Sequence, residues 1–344
     1  MIRLFLGLLL FSFILTSLFV VPFINLLYRL KFQRRRQTTR DCLDHSTPIF
    51  DKIHSTKVGT PVGGGALIIF SVCFLYLILF SLLRLVQIHF SSNYPIEKEL
   101  EIIFFTFISF GILGLYDDIH KSFGFGKTKF FGLKLIHKFL LQLFLAFIVS
   151  LLIYFRLKIN FIYLPFLGVL TLGPLIIPVA IGFILAFANF FNITDGLDGL
   201  SCGLLLISLF AFWVLSASSL DTPISLFLAL WIGSLIAFLY FNIFPARIWL
   251  GDVCSLSFGA TFAVIAILLG KIVPLIIIGS LFIIEGLSST LQILSKKYFN
   301  RKIIPAAPLH LTLQNLGWEE PKIVFRAWLA GIILAVFGLW LGLN

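Results

Sequence analysis

The chain has 344 residues, of which 60% are hydrophobic and 12% are charged, and its mean hydropathy is +1.08. A soluble domain needs a more polar surface, so the composition excludes that class and indicates a polytopic membrane protein. The net charge of +11 does not indicate nucleic-acid binding, because the basic residues concentrate in particular loops. The apolar first thirty residues lack an obvious cleavage site and are predicted to be a retained span.

The spacing of apolar residues predicts an all-α fold with about ten transmembrane helices in a single domain, residues 1–344. Each span needs about 20 apolar residues. The third stretch is short, and Pro174 and Pro178 are expected to break the region 156–180, part of which is expected to be re-entrant or interfacial. The predicted spans are 4–28, 62–86, 101–116, 133–155, 174–192, 199–217, 224–243, 253–270, 272–295 and 323–342.

The distribution of basic residues sets the predicted orientation. Of the 26 Lys and Arg residues, twenty fall in loops on one side of the predicted spans and six on the other. The positive-inside rule places the first side in the cytoplasm and both termini outside it. Three acidic clusters and the segment around His310 then fall on the cytoplasmic side, in an orientation that depends on the Lys and Arg residues alone.

The three acidic clusters stand at the ends of apolar stretches and hold five of the 15 acidic residues. Carboxylates at the edge of hydrocarbon are costly unless they are paired, solvated or bound to a metal. Adjacent carboxylates also repel, so a Mg²⁺ ligand, a general base and a solvated helix end with a Lys partner are all open roles. Together the clusters predict a site for a divalent cation and phosphate. They are Asp117-Asp118, Asp195-Gly196-Leu197-Asp198 and Gly251-Asp252.

The segment from Asn189 to Gly199 is the densest polar stretch between two apolar runs. In a helix, Asn189, Asn192 and Asp195 share roughly one face. A purely structural segment has little use for so many amides and carboxylates, so this pattern favours a functional role.

Two further segments allow a functional and a structural interpretation. The glycine-rich segment 57–65 suits close backbone approach to an anion, but it also suits helix packing, which is the favoured interpretation of the segment alone. In the segment 244–252, Arg247 is a candidate phosphate contact and Trp249 a candidate partner for a base. An aromatic residue at the membrane interface is the structural alternative for Trp249.

Two ionisable residues near the C-terminal end also have structural alternatives. His310 lies in a polar loop, where a lone histidine is by default solvated. Glu285 lies inside the ninth predicted span, so it is expected to need a partner, and Gln292 lies about two turns further on.

Taken together, these segments resemble the polyprenyl-phosphate N-acetylhexosamine-1-phosphate transferases, and within them the phospho-N-acetylmuramoyl-pentapeptide transferase branch. The resemblance runs in order from Lys57 to Trp328. Its superfamily motifs are Asp-Asp-x-x-Lys from Asp117, Asn-x-x-Asn-x-x-Asp-Gly-x-Asp-Gly from Asn189, and Phe-Pro-Ala-x-x-aromatic-x-Gly-Asp from Phe244. The muramoyl branch is indicated by Lys57-x-Gly-Thr-Pro, by Gly317-Trp318-x-Glu-Pro-Lys, and by Glu285 and Gln292.

The resemblance implies a site on the cytoplasmic face of the bacterial cytoplasmic membrane and a Mg²⁺-dependent reaction of peptidoglycan synthesis. Phospho-MurNAc-pentapeptide would pass from UDP-MurNAc-pentapeptide to undecaprenyl phosphate, releasing UMP and forming lipid I. The implied partners are a polyprenyl phosphate, a UDP-sugar and a second copy of the chain, without nucleic acid.

The same resemblance assigns roles to individual residues. Asp252 is the implied Mg²⁺ ligand, with Asp195 as a further candidate. Asp117 is the candidate base for the lipid phosphate, Asp118 stands beside it, and Trp249 occupies the position expected against uracil. The implied substrate-binding residues are Lys57, Thr60, Lys121, Lys138, Asn189, Asn192, Asp195, Gly196, Asp198, Trp249 and His310.

Three departures from the family pattern bear on nucleotide affinity and on the identity of the sugar. Only the first of three consecutive histidines is present, a hydroxyl is missing from the glycine-rich segment, and a cysteine replaces a glycine after Gly-Asp. The altered stretches are His310-Leu311-Thr312, Thr60-Pro61-Val62-Gly63-Gly64-Gly65 and Gly251-Asp252-Val253-Cys254-Ser255.

Three alternatives therefore stand beside the muramoyl transferase. The same chemistry could use UDP-GlcNAc or another UDP-amino-sugar for a different glycan. A transporter or channel would need charges at mid-bilayer, whereas most acids here lie at one face. A non-catalytic protein that binds lipid-linked sugars is disfavoured by the five intact carboxylates.

Overall fold

The computed structural model describes residues 2–33, 57–123 and 133–343. These residues form a bundle of α-helices with one two-stranded antiparallel hairpin, so the predicted all-α class is confirmed. The hairpin consists of β1, Phe161–Leu164, and β2, Gly168–Thr171, and a short 3₁₀ helix follows at Gly173–Leu175. The helices are α1 Ile2–Arg29, α2 Gly65–Leu85, α3 Ile96–Phe123, α4 Leu135–Arg156, α5 Ile176–Thr194, α6 Leu200–Ser218, α7 Thr222–Asn242, α8 Asp252–Leu268, α9 Ile272–Ile278, α10 Ser280–Phe299, α11 Leu309–Asn315 and α12 Glu320–Leu343.

Eight helical segments in the described part of the chain are long and apolar enough to cross a membrane. Helices α9 and α10 together form a ninth candidate span, which is bent by 72° at Gly279. The eighth predicted span, 253–270, corresponds to α8, an apolar helix of 17 residues that is shorter than the other candidate spans. The expected number of about ten is reached only when the bent and the short helices are both counted.

Two details of the predicted spans are wrong. The third span is not short, because α3 extends over 28 residues and includes charged residues at both ends. It can do so because Glu99 and Asp117 are buried in protein rather than exposed to lipid. Pro178 does not break its segment, since it lies in the first turn of α5, where the missing N–H leaves no helical hydrogen bond unmade.

Helices α7 and α8 form the centre of the bundle. All 17 residues of α8 are buried, and it packs between α3 and α5. The rings of Phe107 on α3, Trp231 on α7 and Phe258 on α8 interlock with centroid distances of 5.0–5.8 Å. Helix α8 is therefore enclosed by protein on all sides. This packing holds its first residue, Asp252, in a fixed position within the bundle.

Two glycines permit the close approach of α8 to its neighbours. A Cβ atom on Gly114 of α3 would lie 2.0 Å from the carbonyl oxygen of Asp252. A Cβ atom on Gly259 of α8 would lie 2.2 Å from the carbonyl oxygen of Phe187 on α5. Because both obstacles are backbone atoms, a side chain at either position would push the helices apart and displace Asp252.

The acidic clusters all lie at one end of the bundle, which we call the site end. Helix α1 ends there too, because the carbonyl of Phe32 accepts a hydrogen bond of 3.1 Å from the amide of Val62, just before α2. Helix α12 begins there, at Glu320. Both ends of the described chain therefore lie at the opposite end of the bundle, where the Lys271 ammonium group donates to the carbonyl of Gly342.

We expect Gly259→Ala to lower the free energy of unfolding by about 1–3 kcal/mol, because the added methyl group overlaps backbone atoms that cannot give way. Gly182→Ala on α5 is the matched control, since a Cβ atom there meets nothing within 4 Å. The measurement is the thermal unfolding midpoint of each purified variant in detergent. Equal midpoints for the two variants would contradict the proposed close packing of α5 and α8.

Candidate active site

A cavity of about 370 Å³ opens at the site end of the bundle. Residues from all three acidic clusters line it, although they lie up to 134 residues apart in the chain. The predicted convergence of the clusters is therefore confirmed by the geometry. The residues that matter most for its chemistry are Asp118, Asp195, Asp198, Asp252, Trp249 and His310.

Two lysines link the first and third acidic clusters. The ammonium group of Lys121 lies 3.0 Å from Oδ2 of Asp117 and 2.8 Å from Oδ2 of Asp252. The ammonium group of Lys138 contacts the same two oxygens, at 3.0 Å from Asp117. Asp117 also accepts a hydrogen bond of 2.7 Å from the backbone amide of Leu133. This arrangement of two lysines between two carboxylates, which we call the ionic cluster, joins α3, α4 and α8.

Asp118 has a different role from Asp117, its neighbour in the chain. Its two carboxylate oxygens accept hydrogen bonds of 3.0 Å from the backbone amides of Asp252 and Val253. These amides belong to the first turn of α8, where no helical carbonyl can reach them, and the helix dipole favours a negative charge. The preceding Gly251 has φ +77°, and a Cβ atom there would lie 2.5 Å from Oδ2 of Asp118. Asp118 thus anchors the start of α8 and orients Asp252.

Asn189 and Asn192, which are predicted to share one helical face, contact two different neighbouring helices. Asn192 donates to Oδ1 of Asp252 at 3.2 Å and to the Ser255 hydroxyl at 2.5 Å, so it belongs to the cavity wall. Asn189 lies one turn deeper and donates to Oε1 of Gln142 on α4 at 2.7 Å. Asn189 does not line the cavity, and its amide instead holds α5 against α4.

Asp195 follows the last residue of α5 and lines the cavity. Burial raises the pKa of its carboxyl to about 7, and the charges of Asp252 and Asp198 act in the same direction. The hydroxyl of Ser201, which donates to Oδ1 of Asp195 at 2.5 Å, and the charge of Lys57 oppose this shift. The cavity wall at Asp195 therefore has an electrostatic environment that favours added positive charge.

A buried ion-pair network supports the opposite wall. The ammonium group of Lys57 lies 2.8 Å from Oδ1 of Asp198 and 2.5 Å from Oε1 of Glu320, and all three side chains are buried. Glu320 also accepts a hydrogen bond from the backbone amide of Asp198 at 2.6 Å. Asp198 in turn accepts from Nε1 of Trp249 at 3.2 Å and from the amide of Ala246 at 3.0 Å. The network therefore fixes the loop that carries Trp249.

Within the segment 244–252, the structure separates the two candidate contacts. Trp249 lines the cavity and its indole N–H is held by Asp198, which favours the interpretation as a site residue over that as an aromatic residue of the membrane interface. Arg247 is exposed and lies over the ring of Phe241, 5.6 Å from its centroid, outside the cavity wall. Four residues expected to bind substrate also do not line the cavity, and they are Lys57, Thr60, Lys138 and Asn189.

His310 is not solvated, which corrects the default interpretation of a lone histidine in a loop. It is 1% exposed, and its Nδ1 atom lies 3.0 Å from Oε2 of Glu285. Glu285 therefore has His310 as its partner, while Gln292 binds the backbone of Ile303 and Ile304. A Cβ atom on Gly196 would lie 2.4 Å from Nε2 of His310, so the glycine leaves room for the imidazole in the cavity wall.

The two positions where the family carries further histidines do not line the cavity. Leu311 is 2% exposed, and the Thr312 hydroxyl donates to the carbonyl of Ala306. In this chain, therefore, neither Leu311 nor Thr312 contributes a side chain to the cavity surface.

Glu320 is the main site residue that the sequence interpretation missed. The sequence places it only within a motif typical of the muramoyl branch, yet in the structure it pairs with Lys57 across 263 residues. The available signal was its position, because an acid at the first turn of an apolar helix is either a helix cap or one partner of an ion pair.

Comparison with known proteins agrees with this geometry. The family model described as glycosyl transferase family 4 matches residues 100–270. Phospho-N-acetylmuramoyl-pentapeptide-transferases from Staphylococcus aureus strains JH9, Newman and Mu50 are each 33% identical over 301 residues, covering 85% of this chain and 88% of theirs. The chain belongs to glycosyl transferase family 4. As a member of that family it is a phosphotransferase, and its apolar helices make it a multi-pass membrane enzyme.

The match to glycosyl transferase family 4 covers only part of the cavity and of the residues that support it. The matched residues contain the ionic cluster and Trp249, but not Lys57, His310 or Glu320. Those three residues lie in chain segments that support the cavity from outside the matched region.

We expect Lys57→Met to lower the free energy of unfolding by about 3–5 kcal/mol, because it leaves two buried carboxylates without their cation. Adding Glu320→Gln should restore part of this loss by removing one uncompensated charge. Lys297→Met is the control, since Lys297 is exposed. Unfolding midpoints in detergent check the series, and a Lys57→Met protein as stable as the control would refute the role assigned to the network.

Proposed function

We propose that the protein transfers phospho-MurNAc-pentapeptide from UDP-MurNAc-pentapeptide to undecaprenyl phosphate, releasing UMP and forming lipid I in peptidoglycan synthesis. The observation that carries the proposal is the ionic cluster beside a cavity lined by Asp195 and Asp252. Phosphoryl transfer depends mainly on positioning and on charge neutralisation, and this cavity has fixed charges of both signs. The names of the relatives support the choice of substrates.

The residues of the cavity fit a Mg²⁺ ion that is shared with substrate. Among the described residues, no group of three His, Cys, Asp or Glu side chains converges as an all-protein metal site. Mg²⁺ bound to phosphates needs only one or two carboxylates, because waters and phosphate oxygens complete its shell. Asp195 and Asp252 both line the cavity, and burial together with the charges of Asp252 and Asp198 raises the pKa of Asp195, so this part of the cavity favours an added cation. Asp252 would hold the ion, with Asp195 as a further candidate ligand.

A bound Mg²⁺ ion would neutralise charge on the phosphate groups and help to align them. In the transfer, an oxygen of the lipid phosphate forms a bond to the sugar-bearing phosphorus of the donor, and the bond from that phosphorus to the UMP oxygen breaks. UMP leaves with the bonding electrons. Lys121, which lines the cavity and is 27% exposed, is placed to contact these phosphates.

The attacking group does not require a general base. The second pKa of a phosphate monoester is about 6, so the attacking oxygen already lacks its proton at neutral pH. Asp117 is 2% exposed and is held by Lys121, Lys138 and the Leu133 amide. We therefore assign Asp117 to positioning the two lysines rather than to proton abstraction.

The opposite wall suits the nucleotide. Trp249 offers an aromatic ring whose indole N–H is already bound to Asp198, so the ring orientation is fixed before a ligand arrives. Asn192 and His310 add polar groups that line the same cavity. A uracil stacked on Trp249, with its diphosphate directed toward Lys121, is the arrangement that these contacts support.

The proposed location is the bacterial cytoplasmic membrane, with the site end facing the cytoplasm. The excess of Lys and Arg in the loops of that end supports this orientation. It would allow a soluble UDP-sugar to enter from water and a lipid phosphate to enter from the inner leaflet. The expected homodimer remains a prediction.

The same geometry bears on the alternatives. A transporter or channel is disfavoured because the charged cavity lies at one end of the bundle. Asp195 and Asp252 line the cavity with no saturating backbone contacts to both oxygens, which favours an enzyme over a non-catalytic binding protein. Transfer from UDP-GlcNAc stays as the second candidate, although the altered Leu311 and Thr312 positions lie outside the cavity wall.

The proposed activity is tested with purified protein, undecaprenyl phosphate, Mg²⁺ and a series of UDP-sugars, with released UMP as the measured product. We expect turnover with UDP-MurNAc-pentapeptide to exceed that with UDP-GlcNAc. Preference for UDP-GlcNAc would select the second candidate, and no turnover with any UDP-amino-sugar would refute the enzyme assignment.

We expect Asp252→Ala to reduce turnover by about three orders of magnitude, because it removes a metal ligand and leaves Lys121 and Lys138 with one carboxylate. Asp221→Asn is the control, since this buried acid caps α7 at the opposite end of the bundle and asparagine caps equally well. UMP release is measured alongside the unfolding midpoint. Activity of Asp252→Ala close to that of the control would remove Asp252 as a ligand.

A further inference from the structure

The two-stranded hairpin lies at the end of the bundle opposite the site end, in the region expected from the sequence to be partly re-entrant or interfacial. The Lys271 ammonium group, which donates to the carbonyl of Gly342, lies 5.6 Å from the ring centroid of Tyr163 on β1. The ring centroid of Phe166, in the turn of the hairpin, lies 6.0 Å from that of Trp340 on α12. The hairpin is therefore held beside the last turns of α12.

The exposed surface of the hairpin is apolar on both faces. Neighbouring residues of a strand point to opposite faces, and Val169 and Leu170 of β2 are both exposed. Phe166 and Leu167 at the tip are exposed as well, Leu167 to 83%. Residues 159–194 contain no charged side chain. A hairpin in water would have at least one polar face, so these side chains suit an apolar environment.

The tip of the hairpin also has an unfavourable backbone conformation. Pro165 and Phe166 are the central residues of a tight turn, which is closed by a hydrogen bond of 3.1 Å from the amide of Leu167 to the carbonyl of Leu164. Phe166 has a φ of +65°, and a turn with a positive φ at the residue after proline favours glycine there. A phenylalanine at this position is strained, so contacts of its ring have to offset the strain. Trp340 covers only part of the ring, because Phe166 is 72% exposed.

The backbone of the hairpin limits how deeply it can lie in a membrane. In the described part of the chain β2 pairs only with β1, so one edge of β2 has no strand partner. Such an edge is not tolerated inside hydrocarbon, where no water can bind its N–H and C=O groups. Arg156, at the end of α4, and Lys158, just before β1, are exposed and suit the phosphates of lipid headgroups. The strands therefore fit the headgroup level, and the tip fits the adjoining hydrocarbon.

We infer that the hairpin is an interfacial anchor, which inserts Phe166 and Leu167 into the lipid leaflet at the end opposite the site end. The partner is phospholipid because the tip continues the apolar surface of α12, where the exposed rings of Phe337 and Trp340 stack with centroids 5.9 Å apart. An exposed tryptophan near the end of a span is typical of the level between hydrocarbon and headgroups. This placement requires only that the helices span a bilayer, and it is independent of the reaction at the site end.

Photo-crosslinking in liposomes tests the position of the tip. The full-length protein carries p-benzoylphenylalanine in place of Leu167, and the liposomes contain phosphatidylethanolamine and phosphatidylglycerol. The control carries the same amino acid in place of Asn93, an exposed residue in the polar connection between α2 and α3 at the same end of the bundle. We expect phospholipid adducts, measured by mass spectrometry, to be about tenfold more abundant at position 167 than at position 93, because apolar burial keeps the tip inserted.

Two results of the crosslinking would overturn the inference. Equal yields of phospholipid adduct at the two positions, or none at either, would mean that the tip is no closer to lipid than a polar loop. Crosslinks between two copies of the chain at position 167, in place of phospholipid adducts, would mean that the hairpin is covered by protein.

A thiol-labelling experiment tests the role of the Phe166 ring. The variants are reconstituted in lipid nanodiscs, which leave both ends of the bundle open to a water-soluble maleimide, and the labelling of the wild-type thiols is subtracted. We expect Leu167→Cys to react about tenfold more slowly than Asn93→Cys, because a thiol buried in lipid forms little thiolate. Adding Phe166→Gly to Leu167→Cys should remove most of this protection, although glycine relieves the strained turn.

The double variant therefore separates the fold of the hairpin from its anchoring. Unchanged protection in the protein with Phe166→Gly and Leu167→Cys would overturn the assignment of Phe166 as an anchor. Labelling of Leu167→Cys as fast as that of Asn93→Cys would overturn the insertion itself.

Discussion

Two ammonium groups held between two carboxylates govern the architecture of the site end. Lys121 and Lys138 both contact Asp117 and Asp252, so these ion pairs join α3, α4 and α8 at the site end. In a partly desolvated environment such contacts are strong, and removing one member leaves a charge whose burial costs several kcal/mol. Helix α8 begins at Asp252 and carries Phe258 of the aromatic core. The cavity and the core of the bundle therefore depend on the position of the same helix.

The acidic residues of the site divide into two groups according to their contacts. Asp118 is saturated by two backbone amides, and Asp198 by Lys57, Trp249 and the amide of Ala246, so both act as anchors. Asp195 and Asp252 also line the cavity, but only side chains hold them: the Ser201 hydroxyl holds Asp195, and Lys121, Lys138 and Asn192 hold Asp252. Chemically identical carboxylates thus differ in whether backbone amides or side chains hold them.

The sequence predicted the all-α class and the convergence of the acidic clusters, because both depend on local hydropathy and on where charges interrupt it. It did not predict which of these carboxylates backbone amides hold and which only side chains hold. Glu320 and Lys57 are 263 residues apart, and His310 and Glu285 are 25 apart on different helices. No periodicity encodes such pairs, since they arise only when helices pack. The length of α3 was also predicted too short. A hydropathy pattern treats a charged residue as exposed to lipid, which is costly, whereas charged residues of α3 that are buried in protein avoid that cost.

The shortness of α8 also has a consequence for how the reactants meet. At 1.5 Å per residue its 17 residues span about 25 Å, less than the hydrocarbon thickness of about 30 Å. Protein on every side shields it from the mismatch that would distort a bilayer around an isolated helix of this length. Its first residue can therefore be recessed below the level of the surrounding headgroups. If the acceptor is the lipid phosphate proposed above, it would reach Asp252 by sideways diffusion in its own leaflet, without being lifted toward water.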